Sequence, residues 1–282
     1  MAVALRTPLC DALGVDVPIL SAGMGSVAGP DLVASVSEAG GFGVLGVSGA
    51  SPDAVRARIE ATRMLTTRPF GVNVIIDDAG WAASEDDREL VRAEVMSAID
   101  EQVAAVVLFW GDPTPYVEAA SGGIGDGTGV ARAIGLGAQG VSLGTRFVAS
   151  EESRAHPEYK RRIVESRAKD TVYTDDLYDI SWPGAPTRTL RNRTFDEWEA
   201  AGRPPPGRRP GEGTFVGVLR LSSGEKVEFP RYAGAGSPLV GFDGDFDYPA
   251  MWAGESVEVV NDVLPAAEIV RRLAQDAAAA LG

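Results

Sequence analysis

Glycine and hydroxyl-bearing residues crowd two stretches of this chain, Ser121-Gly-Gly-Ile-Gly-Asp-Gly-Thr-Gly129 and Leu143-Gly-Thr145. Gly122 and Gly123 have no Cβ, so bare backbone N–H groups can approach a ligand there. Between the two stretches, Ile124 to Gly137 has helical spacing, with Val130, Ile134 and Ala138 on one face. An apolar strand from Val141 to Phe147 then carries the chain into Gly144 and Thr145. Paired glycine turns at the ends of neighbouring parallel strands form the phosphate site of barrels built from strand–helix units. Backbone amides and helix N-termini supply its positive end. The pattern predicts a phosphate here, that of a cofactor.

A third candidate is Asn73, alone in the apolar strand Pro69-Phe-Gly-Val-Asn-Val-Ile-Ile76. A buried amide left without a partner costs about 1–3 kcal/mol, so Asn73 either braces a neighbouring loop or faces a ligand. The single histidine, His156, lies in the stretch Glu151 to Lys160 that leads an amphipathic helix to Lys169. The single cysteine, Cys10, reads as a small buried apolar residue on a short capping helix, Thr7 to Leu13. One cysteine makes no internal disulfide or cysteine metal cluster, so no metal site is predicted.

The elements that must position these groups alternate. Val17 to Met24 is a continuous apolar run of the kind a buried parallel strand shows, followed by a helix opened by Pro30-Asp31 and stopped by Gly40-Gly41. Phe42 to Gly46 is the next strand, and Ser51-Pro52 caps the next helix. After Asn73's strand, Glu85-Asp-Asp87 stands before a helix over Leu90 to Val103, acid at its positive end. Ala104 to Trp110 is a fourth strand. Strand–helix alternation means an α/β fold, a β/α barrel or a doubly wound sheet, with ligands at the carboxyl ends of the strands. Met24, Gly46, Asn73 and Trp110 all fall there.

After Trp110 the rhythm breaks. Pro115 to Ala120 gives barely two helical turns, and no strand with β-branched residues precedes Ser121. Five strands are legible up to Ala149, whereas an eight-unit barrel takes about 250 residues. The prediction is therefore an incomplete TIM-barrel-like β/α fold. Beyond Ser150 the chain becomes loop-rich, with a surface loop at Pro204-Pro-Pro206 and a hairpin pairing Phe215–Leu221 with Lys226–Phe229. One long helix over Gly254 to Leu281, kinked or restarted at Pro265, closes it. We expect three parts: a cofactor-binding barrel portion over 1–150, an insert over 151–250 and a packing helix over 251–282.

Composition narrows the partners. The 282 residues are 45% hydrophobic and 23% charged, with a net charge of -14, which disfavours nucleic acid. No apolar run is long enough to span a bilayer and no leader pattern stands at Met1, so the expectation is a cytoplasmic protein with a small-molecule substrate. A homodimer stays open.

Five segments in order carry a resemblance: Val17-Pro-Ile-Leu-Ser-Ala-Gly-Met24, Ser37-Glu-Ala-Gly-Gly-Phe-Gly43, Arg68-Pro-Phe-Gly-Val-Asn73, Gly122-Gly-Ile-Gly-Asp-Gly127 and Leu136-Gly-Ala-Gln-Gly-Val-Ser-Leu-Gly-Thr-Arg-Phe147. Together they resemble the nitronate monooxygenases, also called 2-nitropropane dioxygenases, flavin enzymes on a β/α barrel. The insert, through His156-Pro-Glu-Tyr159 and Pro204 to Gly211, is similar to one subgroup. The resemblance implies non-covalent FMN, with the phosphate at Gly122, Gly123, Gly144 and Thr145. It sets Ala22, Gly23 and Met24 against the isoalloxazine and has Asn73 hydrogen-bond the flavin. It also implies an alkyl nitronate or nitroalkane substrate and O2. In the family an Ala-Gly-Gly-His motif supplies a catalytic base from units that precede the Gly-Gly-Ile turn. Here Ala120 abuts Ser121-Gly122, which implies about two strand–helix units missing; the one histidine, His156, matches a surface helix of the family and reads as structural or solvated, and no catalytic residue is assigned. The alternatives are an FMN-dependent enoyl reductase, whose barrel carries similar glycine turns, and a non-catalytic flavin-binding remnant.

Overall fold

Five parallel strands lie side by side and set the carboxyl-end face on which the candidate residues sit. The computed structural model describes residues 5–76, 84–109, 124–135, 138–180, 184, 186–221, 223–234 and 236–282. Trp110, the short helix expected over Pro115 to Ala120, Ser121-Gly122-Gly123 and Leu136-Gly137 lie outside the described residues.

In chain order the first part comprises α1 (Pro8–Leu13), β1 (Ile19–Ser21), α2 (Pro30–Glu38), β2 (Gly43–Gly46) and α3 (Pro52–Leu65). It continues with β3 (Phe70–Ile75), α4 (Glu85–Asp100), β4 (Ala105–Phe109), α5 (Gly127–Gly135), β5 (Val141–Leu143) and α6 (Thr145–Val148). β1 pairs with β5, and β2, β3 and β4 pair in that order, all parallel. The two groups meet at a parallel bridge between Leu20 and Phe42, where Phe42 N–H donates to Ile19 O at 2.9 Å. The spatial order is thus β5-β1-β2-β3-β4. Every β2 and β3 position is buried, whereas β4 is part-exposed throughout, with Leu108 and Phe109 at 40% and 48%. β4 is the outer strand among the described residues.

Local chemistry explains most boundaries. Ser51 accepts from Ala54 N–H and Pro52 fills the first turn of α3. Ser84 and Asp87 form a capping box on α4. That cap starts the helix at Glu85, so the three acids lie inside its first turn instead of before it. The strand expected over Val17 to Met24 narrows to three residues; Ala22 N–H adds one more bond to β5, on Leu143 O, before the chain enters the 3₁₀ turn that follows Met24. The helix expected over Ile124 to Gly137 is α5, with Val130 fully buried.

Helices cover one face of the sheet. α2, α5 and α9 (Ala266–Leu281) pack beside β1 and β5 through Leu32, Val36, Val130, Ile269 and Leu273, while Val33 of α2 joins Val55, Ile59 and Ala98 of α3 and α4 beside β2 and β3. Cys10 of α1 is completely buried against Phe42 and Val44, plugging the strands from below as a small apolar residue.

The insert begins with α7 (Pro157–Glu165) and the antiparallel pair β6 (Thr171–Thr174) and β7 (Thr187–Leu190). α8 (Arg193–Ala200) leads to a three-stranded antiparallel sheet of β8 (Phe215–Arg220), β9 (Lys226–Pro230) and β10 (Phe242–Gly244), ordered β10-β8-β9. The β8–β9 hairpin is the one the sequence predicts. One hydrophobic cluster crosses residue 150, joining Val27, Val148 and Ala149 to Tyr159, Ile163 and Met251. Of the two forms expected of the closing helix, kinked or restarted at Pro265, the restart is present, and the part before it is a short 3₁₀ turn. A 3₁₀ turn over Glu255–Val259 ends, Leu264 bridges to Ser150, and α9 restarts after Pro265. Proline has no N–H and clashes inside a helix, which fixes that restart. Among the described residues no helix is long and apolar enough to cross a membrane.

Candidate functional site

The carboxyl ends of β1, β3 and β5 bring Ala22, Gly23, Met24, Asn73, Gly144 and Thr145 into one patch. Ala22, Gly23 and Met24 follow β1 directly and are half-buried, and Met24 opens a 3₁₀ turn over Gly25–Val27. A Cβ built on Gly144 stands 3.9 Å from both the Ala22 Cβ and the Met24 Sδ, so the two turns face each other across one layer of small groups. Gly23 packs directly on Asn73: a Cβ at Gly23 would lie 2.1 Å from the Asn73 Cβ and 2.7 Å from Oδ1. Glycine is therefore required at position 23 by a close approach between strands.

Asn73 itself is 4% exposed, and its Nδ2 donates to Val107 O on β4 at 3.1 Å. Its amide thus braces the neighbouring strand with one end while its other end lies against Gly23. Of the two roles the sequence leaves open, the bracing one is realised in the contacts present.

The expected strand over Val141 to Phe147 breaks at Gly144. β5 stops at Leu143 and Thr145–Val148 forms one helical turn with Gly144 as its cap, since Phe147 and Val148 N–H both donate to Gly144 O. Thr145 is 8% exposed and its Oγ1 accepts from Gly254 N–H at 3.0 Å, which ties the turn to the chain just before the 3₁₀ element. Thr145→Val keeps the shape and removes that acceptor. We expect it to lower stability by about 1 kcal/mol, with recovery in Thr145→Ser, as read by urea unfolding.

Gly122 and Gly123 lie outside the described residues. Two later glycines of the same stretch have packing duties: a Cβ on Gly125 would meet Val259 at 2.7 Å, and one on Gly127 would meet the Asp276 Cβ at 2.3 Å. They let α5 seat against the 3₁₀ turn and α9.

Several supporting residues were invisible in the sequence pattern. Ser21, fully buried, accepts from Val44 N–H at 3.0 Å and stitches β1 to β2. Ser48 accepts from Ile75 N–H at 2.8 Å. Arg146 is 6% exposed, with Nη1 on Asp262 at 2.8 Å and Nη2 on Ala149 O and Asp262 O. Burial pulls its guanidinium below the usual range and Asp262 pulls it back up. A serine or arginine beside a glycine turn carries no periodicity, so only the contact reveals it.

His156 caps α7, its Nδ1 accepting from Glu158 N–H at 3.1 Å and its ring against Phe246 at 4.5 Å. Burial lowers its pKa. The imidazole is occupied in the insert, as the structural reading expects.

Comparison with known proteins decides the family. The family model for nitronate monooxygenase matches residues 6–113 and 87–276. The chain belongs to the nitronate monooxygenase family. Among curated proteins it is similar to a 5-hydroxy-7a-methyl-1-oxo-octahydro-1H-indene-4-carboxyl-CoA dehydrogenase of Mycobacterium tuberculosis, at 29% identity over 71% of this chain and 70% of the relative. It is also similar to the nitronate monooxygenase of Paraburkholderia phytofirmans, at 26% identity over 96% of this chain and 95% of the relative. Among solved structures it resembles a point mutant of FabK from Thermotoga maritima, with a TM-score of 0.72 and 25% identity over 98% of this chain and 97% of that one. The fold is accordingly α/β of the TIM-barrel type.

Proposed function

We propose that this member of the family binds FMN on the patch formed by Ala22, Gly23, Met24, Asn73, Gly144 and Thr145, and oxidises alkyl nitronates with O2. The observation that carries the reading is the meeting of the β1 and β5 turns, 3.9 Å from a Gly144 Cβ position to Ala22 and Met24, over the Gly23–Asn73 contact. Small groups at 22, 23 and 144 leave a flat face for a ring, and the residues present fit a flavin. Gly144 and Thr145 would offer backbone N–H groups to the phosphate, joined by Gly122 and Gly123. Ala22 to Met24 would lie along the isoalloxazine, with Asn73 supplying its amide. When bound, FMN supplies the two-electron acceptor and the place where O2 reacts.

The rest of the proposal concerns what the chain lacks. Its alignment with the Paraburkholderia relative runs over 370 positions, more than the 282 residues present, so part of that relative has no counterpart here. This supports a shortened barrel. The sole imidazole is held as the α7 cap, so no histidine base serves the patch. A positioned base contributes about 10²–10⁴-fold to proton removal; without one, the substrate must arrive already deprotonated. A homodimer belongs to the same reading; the mass of the protein in solution tests it.

The functional test is anaerobic mixing of the flavin-loaded protein with propyl-2-nitronate and, separately, with neutral 2-nitropropane. We expect the flavin absorbance to bleach with the nitronate and to stay unchanged over the same time with the nitroalkane. No bleaching with either sinks the oxidase reading. Bleaching by NADH alone would move the chain to the enoyl reductase alternative.

A further inference from the structure

α4 reaches over α3 to hold the loop that leaves β2, and it does so with a buried acid. Glu94 is completely inaccessible to solvent, and its Oε1 accepts from Ala50 N–H at 3.0 Å, with the Gly49 amide also near enough to favour its charge. Its Oε2 is buried without a hydrogen-bond partner. The other end of the same loop is held by Arg58 of α3, whose Nη1 donates to Gly46 O at 3.0 Å. An acid and a base, 36 residues apart in sequence, thus bracket the five residues 46–50.

That loop touches the candidate site on two sides. At Gly46 a Cβ would fall 2.3 Å from Gly25 O, so the loop's first residue lies hard against the turn that follows Met24. Val47 N–H donates to Asn73 O at 3.3 Å, and Ser48 Oγ accepts from Ile75 N–H at 2.8 Å, so its next residues are sewn to β3. Nothing in the comparisons gives Glu94 or Arg58 a role.

We propose that Glu94 and Arg58 are positioning residues that clamp the 46–50 loop against the Met24–Gly25 turn and Asn73, and that the proton on Glu94 controls how firmly the loop is held. The controlling role rests on the flavin-site reading above, since the loop borders that patch.

Electrostatics gives the direction. Burial pushes the Glu94 carboxyl up to about 7, opposed by the Gly49 and Ala50 amides and by the Arg58 guanidinium. Arg58 is the charged group that faces it from α3, and Arg154 faces Arg58 in turn. A carboxyl whose pKa is raised in the closed loop binds its proton more tightly there than in an opened, hydrated one. Linkage then requires that raising the pH through about 7 favours opening. The buried Oε2 with no partner fits the protonated form, since an unpaired buried charge costs more than a neutral group.

The test follows amide hydrogen exchange over residues 46–50 and FMN affinity by fluorescence quenching, both from pH 5.5 to 8.5. Wild type, Glu94→Gln and Arg58→Met are compared. Taking the ratio of wild type to Glu94→Gln at each pH cancels the titration of the FMN phosphate itself. We expect wild-type protection and affinity to fall about tenfold relative to Glu94→Gln across that range. In Arg58→Met the midpoint moves to higher pH, because the carboxylate loses its favourable charge. A purely structural contact would shift neither midpoint. Ratios that stay flat with pH overturn the proposal. If wild type binds no FMN at any pH, the flavin reading falls and the link from loop to site falls with it. The exchange data then decide the clamp by themselves.

Discussion

Replacing Gly23 by alanine is expected to weaken FMN binding at least tenfold, about 1.4 kcal/mol, and to lower the melting temperature as well. The cause is a single methyl group. At position 23 it would sit 2.1 Å from the Asn73 Cβ and 2.6 Å from its Cγ, where carbon atoms rest about 3.5–4.0 Å apart. Asn73 has little freedom to retreat, being 4% exposed and anchored to Val107 O through Nδ2. Either the β1 turn lifts away from β3 or Asn73 swings and gives up its bond to β4. Both outcomes move the residues proposed to meet the flavin ring. The origin of the effect is separable by a double-mutant cycle. Asn73→Ala keeps the offending Cβ and should not rescue Gly23→Ala, whereas Asn73→Gly removes it and should restore part of the binding. A Gly23→Ala protein that binds FMN like wild type would show that the two strand ends do not meet as described.

The largest loss of stability is expected from Gly43→Ala. Here the obstacle is backbone: the new Cβ would lie 2.3 Å from Val33 O and 2.8 Å from both the carbonyl carbon and the Cα of that residue. Flexible side chains can turn aside, but α2 can only move as a unit. Overpacking costs about 1–3 kcal/mol and occasionally more, and a helix pressed on a strand belongs at the upper end. Against a typical total of about 5–15 kcal/mol, that is a large share. In urea the midpoint should fall with the slope unchanged, the signature of lost stability without a change in denatured-state size. Gly135→Ala is the matched control. It lies in α5 with nothing within 4 Å of its Cβ position, so it should be neutral or stabilising by up to about 1 kcal/mol, as alanine is favoured over glycine in helices. If both substitutions behave alike, the packing of α2 on β2 is not what position 43 senses.

The stretch Ser121 to Gly129 shows where reading by residue type reaches its limit. In the sequence its double glycine, Gly122-Gly123, reads as a phosphate cradle because neither residue has a Cβ, while the later glycines of the stretch have no duty of their own. In the fold, Gly125 and Gly127 make room for the 255–259 turn and α9, while Gly144, in the second glycine turn, faces the Ala22–Met24 turn. Composition cannot separate a glycine that admits a ligand from one that admits a neighbouring helix. Asn73 presents the same limit from the other side. The sequence marks it as anomalous, since an amide in an apolar strand must find a partner, but the identity of that partner, Val107 O, depends on which strand lies next to β3.

Local chemistry settled a good deal without help. The strand–helix alternation, the Ser51-Pro52 start of α3, the β8–β9 hairpin and the buried Cys10 all follow from turn residues, periodicity and the count of one cysteine. These are interactions within a few residues, so the sequence carries both partners side by side. Tertiary structure alone decided that Gly23 must be glycine, that Glu94 holds Ala50 from 44 residues away, and that Gly144 faces the Ala22–Met24 turn. Each of these is a close approach between segments distant in the chain, where what a residue costs or contributes is set by the atom it meets in space.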